Sequence, residues 1–87
     1  MPEISRFFGI KIFMFNTSRE HNPPHFHATY QGYKASFDFN GELKEGYMPK
    51  KQIKLISAWA IIHKNELVVN WKLAKKQGNL FWIEPLR

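Results

Sequence analysis

Hydrophobic and polar residues alternate with a period of two through much of the first half of the chain, the spacing of half-buried β-strands. Residues 7–15 set Ile10, Ile12 and Met14 against Lys11, Phe13 and Phe15 and predict a first strand, apolar enough on both faces to lie centrally or be covered twice. Residues 25–30 predict a second, with Phe26, Ala28 and Tyr30 on the core face and His25, His27 and Thr29 on the other. Gln31-Gly32-Tyr33 turns the chain into a third strand over residues 34–39, where Ala35, Phe37 and Phe39 alternate with Lys34, Ser36 and Asp38. Asn40-Gly41 predicts a type I′ hairpin and a weaker fourth strand over residues 42–47.

The period then changes. Pro49 suits the first helical position, and no further proline or glycine occurs before Gly78. Ile53, Ile56, Ala60, His63, Leu67, Trp71 and Ala74 follow three-four spacing, and Leu55, Trp59, Ile62, Val69 and Leu73 widen that stripe to about half the circumference. One helix of this length is long for so small a chain, so a break near His63-Lys64-Asn65, with Asn65 capping a second helix, is the favoured reading. Leu80-Phe81-Trp82-Ile83 then predicts a last strand at the sheet edge, ended by Pro85. The expected fold is α+β: a small antiparallel sheet, a meander plus a C-terminal strand, packed by one long or two consecutive helices. The 87 residues suffice for one modest core, so residues 1–87 are expected to form a single domain.

Composition narrows the class. The absence of cysteine excludes disulfide scaffolds and thiolate metal sites. No stretch approaches the roughly 18 apolar residues of a membrane span, and the start lacks a signal-peptide pattern, so a cytoplasmic protein without a membrane role is expected. The net charge of +6 is local: residues 1–49 balance, whereas residues 50–76 carry seven lysines against Glu66 alone. Such an excess attracts phosphate backbones or an acidic protein, although a solvated helix face needs no partner at all. Lys50, Lys54, Lys72 and Lys75 are the candidate nucleic-acid contacts.

The candidate chemistry is concentrated in His21-Asn22-Pro23-Pro24-His25-Phe26-His27, which holds three of the four histidines. The prolines fix their own φ and push the residues before them to extended conformations, so the strand beginning at His25 has a stiff entry. Two histidines near a cation can deprotonate a 2′-hydroxyl, protonate a leaving oxygen and stabilise the charge between. His25 and His27 are the candidate pair, Arg19 or Lys34 the cation, RNA the substrate, and Phe13 and Tyr33 stacking surfaces for its bases; this chemistry needs no cofactor. Alternatively His21, His25 and His27 ligate a metal ion, with water or Glu20 in the fourth place, because residues two apart on a strand point the same way. A third reading is structural: the imidazoles bond carbonyls in a turn whose prolines cannot donate, and His63 is a half-buried helix residue.

Taken together, Arg19-Glu20-His21-Asn22-Pro23-Pro24-His25-Phe26-His27, the downstream Trp59 and His63, Asn70-Trp71 and Ile83-Glu84-Pro85-Leu86 resemble the domain-of-unknown-function family numbered 4160 over nearly the whole chain. The resemblance implies a small bacterial protein, in some members proposed as the toxin half of a toxin–antitoxin pair. The partners this admits are RNA, an antitoxin-like protein and a second copy of the chain. A non-catalytic module that binds a partner through its apolar edge and basic helix is the competing class.

Overall fold

A computed structural model describes residues 2–15 and 23–87. Its strands β1 (Glu3–Phe7), β2 (Ile10–Phe13), β3 (Phe26–Tyr30), β4 (Tyr33–Phe37) and β5 (Leu43–Gly46) form one antiparallel sheet in the order β1-β2-β3-β4-β5, a meander. Helices α1 (Lys50–Ile62) and α2 (Lys64–Lys75) follow consecutively and cover one face. The expected α+β architecture is therefore present, and the choice between one helix and two falls to two.

The expected first strand is two. Phe8 and Gly9 have φ of 48° and 79°, a two-residue hairpin that folds β1 back on β2 in the middle of the aromatic run. Glycine adopts this conformation freely, but phenylalanine is an uncommon residue for it, so the turn was hidden among strand-forming residues. Gln31-Gly32 repeats the device, with φ of 44° and 88° between the paired Tyr30 and Tyr33. The third hairpin forms at the expected place by a different turn, because Asn40 is not among the positive-φ residues while Gly41 has φ of 87°. Asp38 builds it: its carbonyl accepts from the Gly41 N–H at 3.0 Å, and its carboxylate accepts from Asn40 N–H at 2.9 Å and Glu42 N–H at 3.0 Å. Gly41 also meets α1 closely. A Cβ there would lie 2.8 Å from Ser57 Cα, and Ser57 Oγ donates to the Gly41 carbonyl at 2.5 Å.

Alternation decides the two faces as expected. Ile10, Ile12, Met14, Phe26, Ala28, Ala35 and Phe37 are buried against Ile56, Trp59, Ala60, Leu67 and Trp71, while Lys11, His27, Thr29 and Lys34 point away. Trp59 is the centre of the contact, its ring 5.6 Å from both Phe7 and Phe26. Each fully buried side chain the size of Phe26 contributes about 1.5–3 kcal/mol.

Pro49 is the residue before the helix, extended at φ −60° and ψ 150°, rather than its first member. The break comes at His63, but Asn65 does not cap α2: the helix begins at Lys64 and no side chain caps it. The i→i−4 bonds His63 N–H to Trp59 O and Leu67 N–H to His63 O span the junction, so side-chain register carries through it.

The expected C-terminal strand does not form. Residues 80–83 form no regular element and reach β1 through the bond Ile83 N–H to Ile4 O, 2.7 Å. Side chains replace the missing ladder. Asn70 donates to Phe81 O at 2.9 Å and accepts from Phe81 N–H at 3.0 Å, and the Trp59 indole donates to Glu84 O at 2.9 Å. Among the described residues no helix is long and apolar enough to cross a membrane.

Candidate functional site on the open sheet face

The face of the sheet turned away from the helices carries the candidate chemistry, arranged by cross-strand register. Phe13, His27, Ser36 and Glu45 stand side by side across β2, β3, β4 and β5, and Lys11, Thr29 and Lys34 form the next row. Paired residues of one face lie about 4.5–5.5 Å apart, so each row is a continuous strip of side chains. Phe15, one alternation beyond Phe13, stacks with it at 6.2 Å and an interplanar angle of 10°, and meets the His27 ring edge-on at 4.8 Å.

His25 immediately precedes β3. Its ring lies 5.1 Å from that of His27 and 5.4 Å from that of Trp71, so α2 supports it from the core side. Pro23 O can only accept, so the 2.9 Å contact to His25 Nδ1 places the hydrogen on Nδ1 and leaves Nε2 for chemistry. This is also the carbonyl bond that the structural reading expected. Both imidazoles are half-buried. An open cleft of about 440 Å³ runs beside His25, lined by Pro23, Pro24, His25, Ser36, Asp38, Lys44 and Glu45. Two carboxylates line it, but Asp38 is occupied by the turn and pairs with Lys44 at 3.7 Å, which leaves Glu45 as the less encumbered acid.

Burial holds the His27 pKa below the usual histidine value, helped by the neighbouring His25 charge and opposed by Glu45. At neutral pH the ring is therefore a neutral base. The unfolded chain binds the proton more readily than the folded one, so stability is full above about pH 6.5 and falls as the pH drops through the range below it. Unfolding free energies measured between about pH 7.5 and 5.5 should fall more in the wild type than in His27→Gln, the difference staying below the one-proton slope of about 1.4 kcal/mol per pH unit. Parallel curves for the two proteins would contradict this environment for His27.

Of the residues singled out from sequence, the structure brings together His25, His27, Lys34 and Phe13. Tyr33 instead packs on Tyr47 at 5.4 Å, one end of the sheet away. His63 is half-buried and held to Glu66 Oε1 at 2.7 Å. Arg19, His21 and Glu20 lie outside the described residues, and among the described residues no three metal-ligating side chains gather. Lys50, Lys54, Lys72 and Lys75 are all exposed, but they form two pairs, one in the first turns of α1 and one in the last turns of α2. At about 1.5 Å per residue their nearest members, Lys54 and Lys72, stand up to about 27 Å apart, on the helical layer rather than the His face. Phe15, Lys44 and Glu45 were not anticipated. The signal for Glu45 was the register across Ser36, obscured because β5 is exposed throughout and shows no alternation.

Residues 9–72 match the model of a family described as a domain of unknown function, DUF4160. The chain belongs to that family. The matched DUF4160 region runs from the β1–β2 turn into α2 and so includes both histidines, their supporting Trp71 and the open face. No curated protein and no solved structure matches the chain.

Proposed function

We propose that this DUF4160 protein is a toxin-type module that binds single-stranded RNA on the open sheet face and cleaves it with His25 and His27. The observation that carries the reading is the imidazole pair at 5.1 Å set in a strip of half-exposed aromatics. Phe13 and Phe15 offer π-faces on which unpaired bases stack, each worth about 1–3 kcal/mol. Lys11 and Lys34 flank the strip, and Lys34 is the diagonal neighbour of His27 across β3 and β4.

The acid–base assignment follows from the environment of the His27 ring, which is the base, and leaves His25 as its partner acid. His27, neutral at pH 7, takes the proton of a 2′-hydroxyl. The 2′-oxygen bonds to phosphorus, the bond from phosphorus to the 5′-oxygen breaks, and His25 as imidazolium donates the proton that the 5′-oxygen needs. The products are a 2′,3′-cyclic phosphate and a 5′-hydroxyl. Pro23 O, accepting from Nδ1, fixes the His25 ring with Nε2 turned to the substrate, and Lys34 offsets charge on the phosphate oxygens.

Binding of a short oligouridylate, followed from low to moderate salt, tests the surface. The double variant Lys11→Gln, Lys34→Gln should flatten the log–log slope by about 1.4, two phosphate contacts of a single strand. Replacing Lys50, Lys54, Lys72 and Lys75 should flatten it less. Absence of binding at low salt, or a slope governed by the helix lysines alone, would sink the sheet-face reading.

A further inference from the structure

The helical layer has a surface that the chemistry above leaves unused. At 100° per residue Leu55, Ile62, Val69 and Leu73 share one flank of α1 and α2, a seam with the three-four and seven-residue spacing of helix–helix contacts. Leu55 and Leu73 are half-buried, but Ile62 and Val69 are 63% and 49% exposed. On one side the seam is bordered by the C-terminal segment, which Asn70 fastens to α2 and whose Trp82 is 54% exposed. Lys51 and Lys76 lie at the two ends of the seam, within about 20° of the Val69 direction, and Lys54 and Lys72 follow about 60° further round on the other side, all four exposed. Glu66, the sole acid of residues 50–76, is engaged by His63.

We infer that this flank docks an acidic amphipathic helix of a partner protein. Its apolar stripe covers Ile62 and Val69, and its carboxylates meet the lysines around them. Contiguous exposed apolar residues rimmed by one sign of charge are the signature of such a groove. RNA fits less well, because phosphates gain from the lysines but leave Ile62 and Val69 wet. A second copy fits less well, because each chain carries +6 and like lysine rows would face each other across the contact. The inference is independent of the reaction proposed for the sheet face.

The probe is a fluorescein-labelled peptide of about three heptads with leucine at the seam positions and glutamate elsewhere. Its binding to the full chain is measured by anisotropy, beside a scrambled peptide of equal composition. The amphipathic peptide should bind at least about tenfold tighter than the scrambled one, and Ile62→Glu with Val69→Glu should remove that advantage. Both positions are exposed, so circular dichroism should be unchanged; should that variant fail to fold, Lys51→Gln, Lys72→Gln, Lys76→Gln must weaken binding by a similar factor. His25→Gln, His27→Gln should bind the peptide normally. Equal affinity for both peptides, no binding of either, or undiminished binding by the seam variants would overturn the inference. So would an Ile62- and Val69-dependent dimer in sedimentation, or loss of oligouridylate binding in the seam variant, each of which assigns the flank to another occupant.

Discussion

Replacing Asn70 by leucine should lower stability by about 2–4 kcal/mol and the melting temperature by roughly 10–30 °C, the largest loss expected from any single polar side chain here. Asn70 is fully buried and makes both of its bonds to one residue, accepting from the Phe81 N–H and donating to the Phe81 carbonyl. It thus imitates the neighbouring strand that residues 80–83 lack. Leucine keeps the branched shape and the number of side-chain heavy atoms, although its methyl groups are bulkier, and it leaves two backbone groups unpaired beside the core, each costing about 1–3 kcal/mol where water is excluded. The damage should spread along the segment. Ile83, buried at 0% exposure, is held by one backbone bond to Ile4, and Glu84 by the Trp59 indole. For a chain of this size the whole stability is about 4–13 kcal/mol, so the loss is a large share of it. Thermal unfolding gives the magnitude, and hydrogen exchange at the Ile83 amide gives the location. A melting temperature within a few degrees of wild type would show that Asn70 is not the clasp.

Asn70 was within reach of the sequence, because it falls inside the apolar arc of the helix, three residues after Leu67 and four before Ala74. A polar residue at such a position must find a buried partner, although nothing in the pattern says which. The β3 register was legible for a firmer reason. A one-residue slip would have buried His25, His27 and Thr29 and exposed Phe26 and Ala28, so alternation admits one answer. Phe8-Gly9 was illegible because strand propensity describes side-chain packing, whereas the hairpin depends on two backbone angles that phenylalanine rarely takes. The C-terminal run was misassigned for a related reason: an apolar stretch reports burial, and here side chains from two helices do the bonding that a ladder would have done. As for the site, adjacency of His25 and His27 followed from spacing alone. Their company did not, since Phe15, Trp71 and Glu45 come from the segment after β2, from α2 and from β5.

The double change His25→Gln, His27→Gln carries the largest functional prediction. Glutamine keeps hydrogen-bonding capacity and approximate volume, and its amide can still donate to Pro23 O, so the melting temperature at pH 7.5 should move by only a few degrees. Oligouridylate binding should persist within a factor of a few, because Phe13, Phe15, Lys11 and Lys34 are untouched. Loss of a general acid and a general base together should slow cleavage by at least about 10⁴-fold. The growth arrest that the proposed function expects of the wild type on expression should disappear with it. The single variants differ in pH profile: with His27 gone the rate loses its rise on the acid side, and with His25 gone it loses its fall on the basic side.

Cleavage of a labelled oligouridylate by the purified wild type and this double variant, at equal occupancy, decides whether the histidine pair is catalytic. The wild type should release fragments ending in a 2′,3′-cyclic phosphate, on a bell-shaped pH profile, and the folded, RNA-bound double variant should release none. Wild-type protein that binds the RNA and leaves it intact, or a double variant that cleaves it at the wild-type rate, would contradict the account.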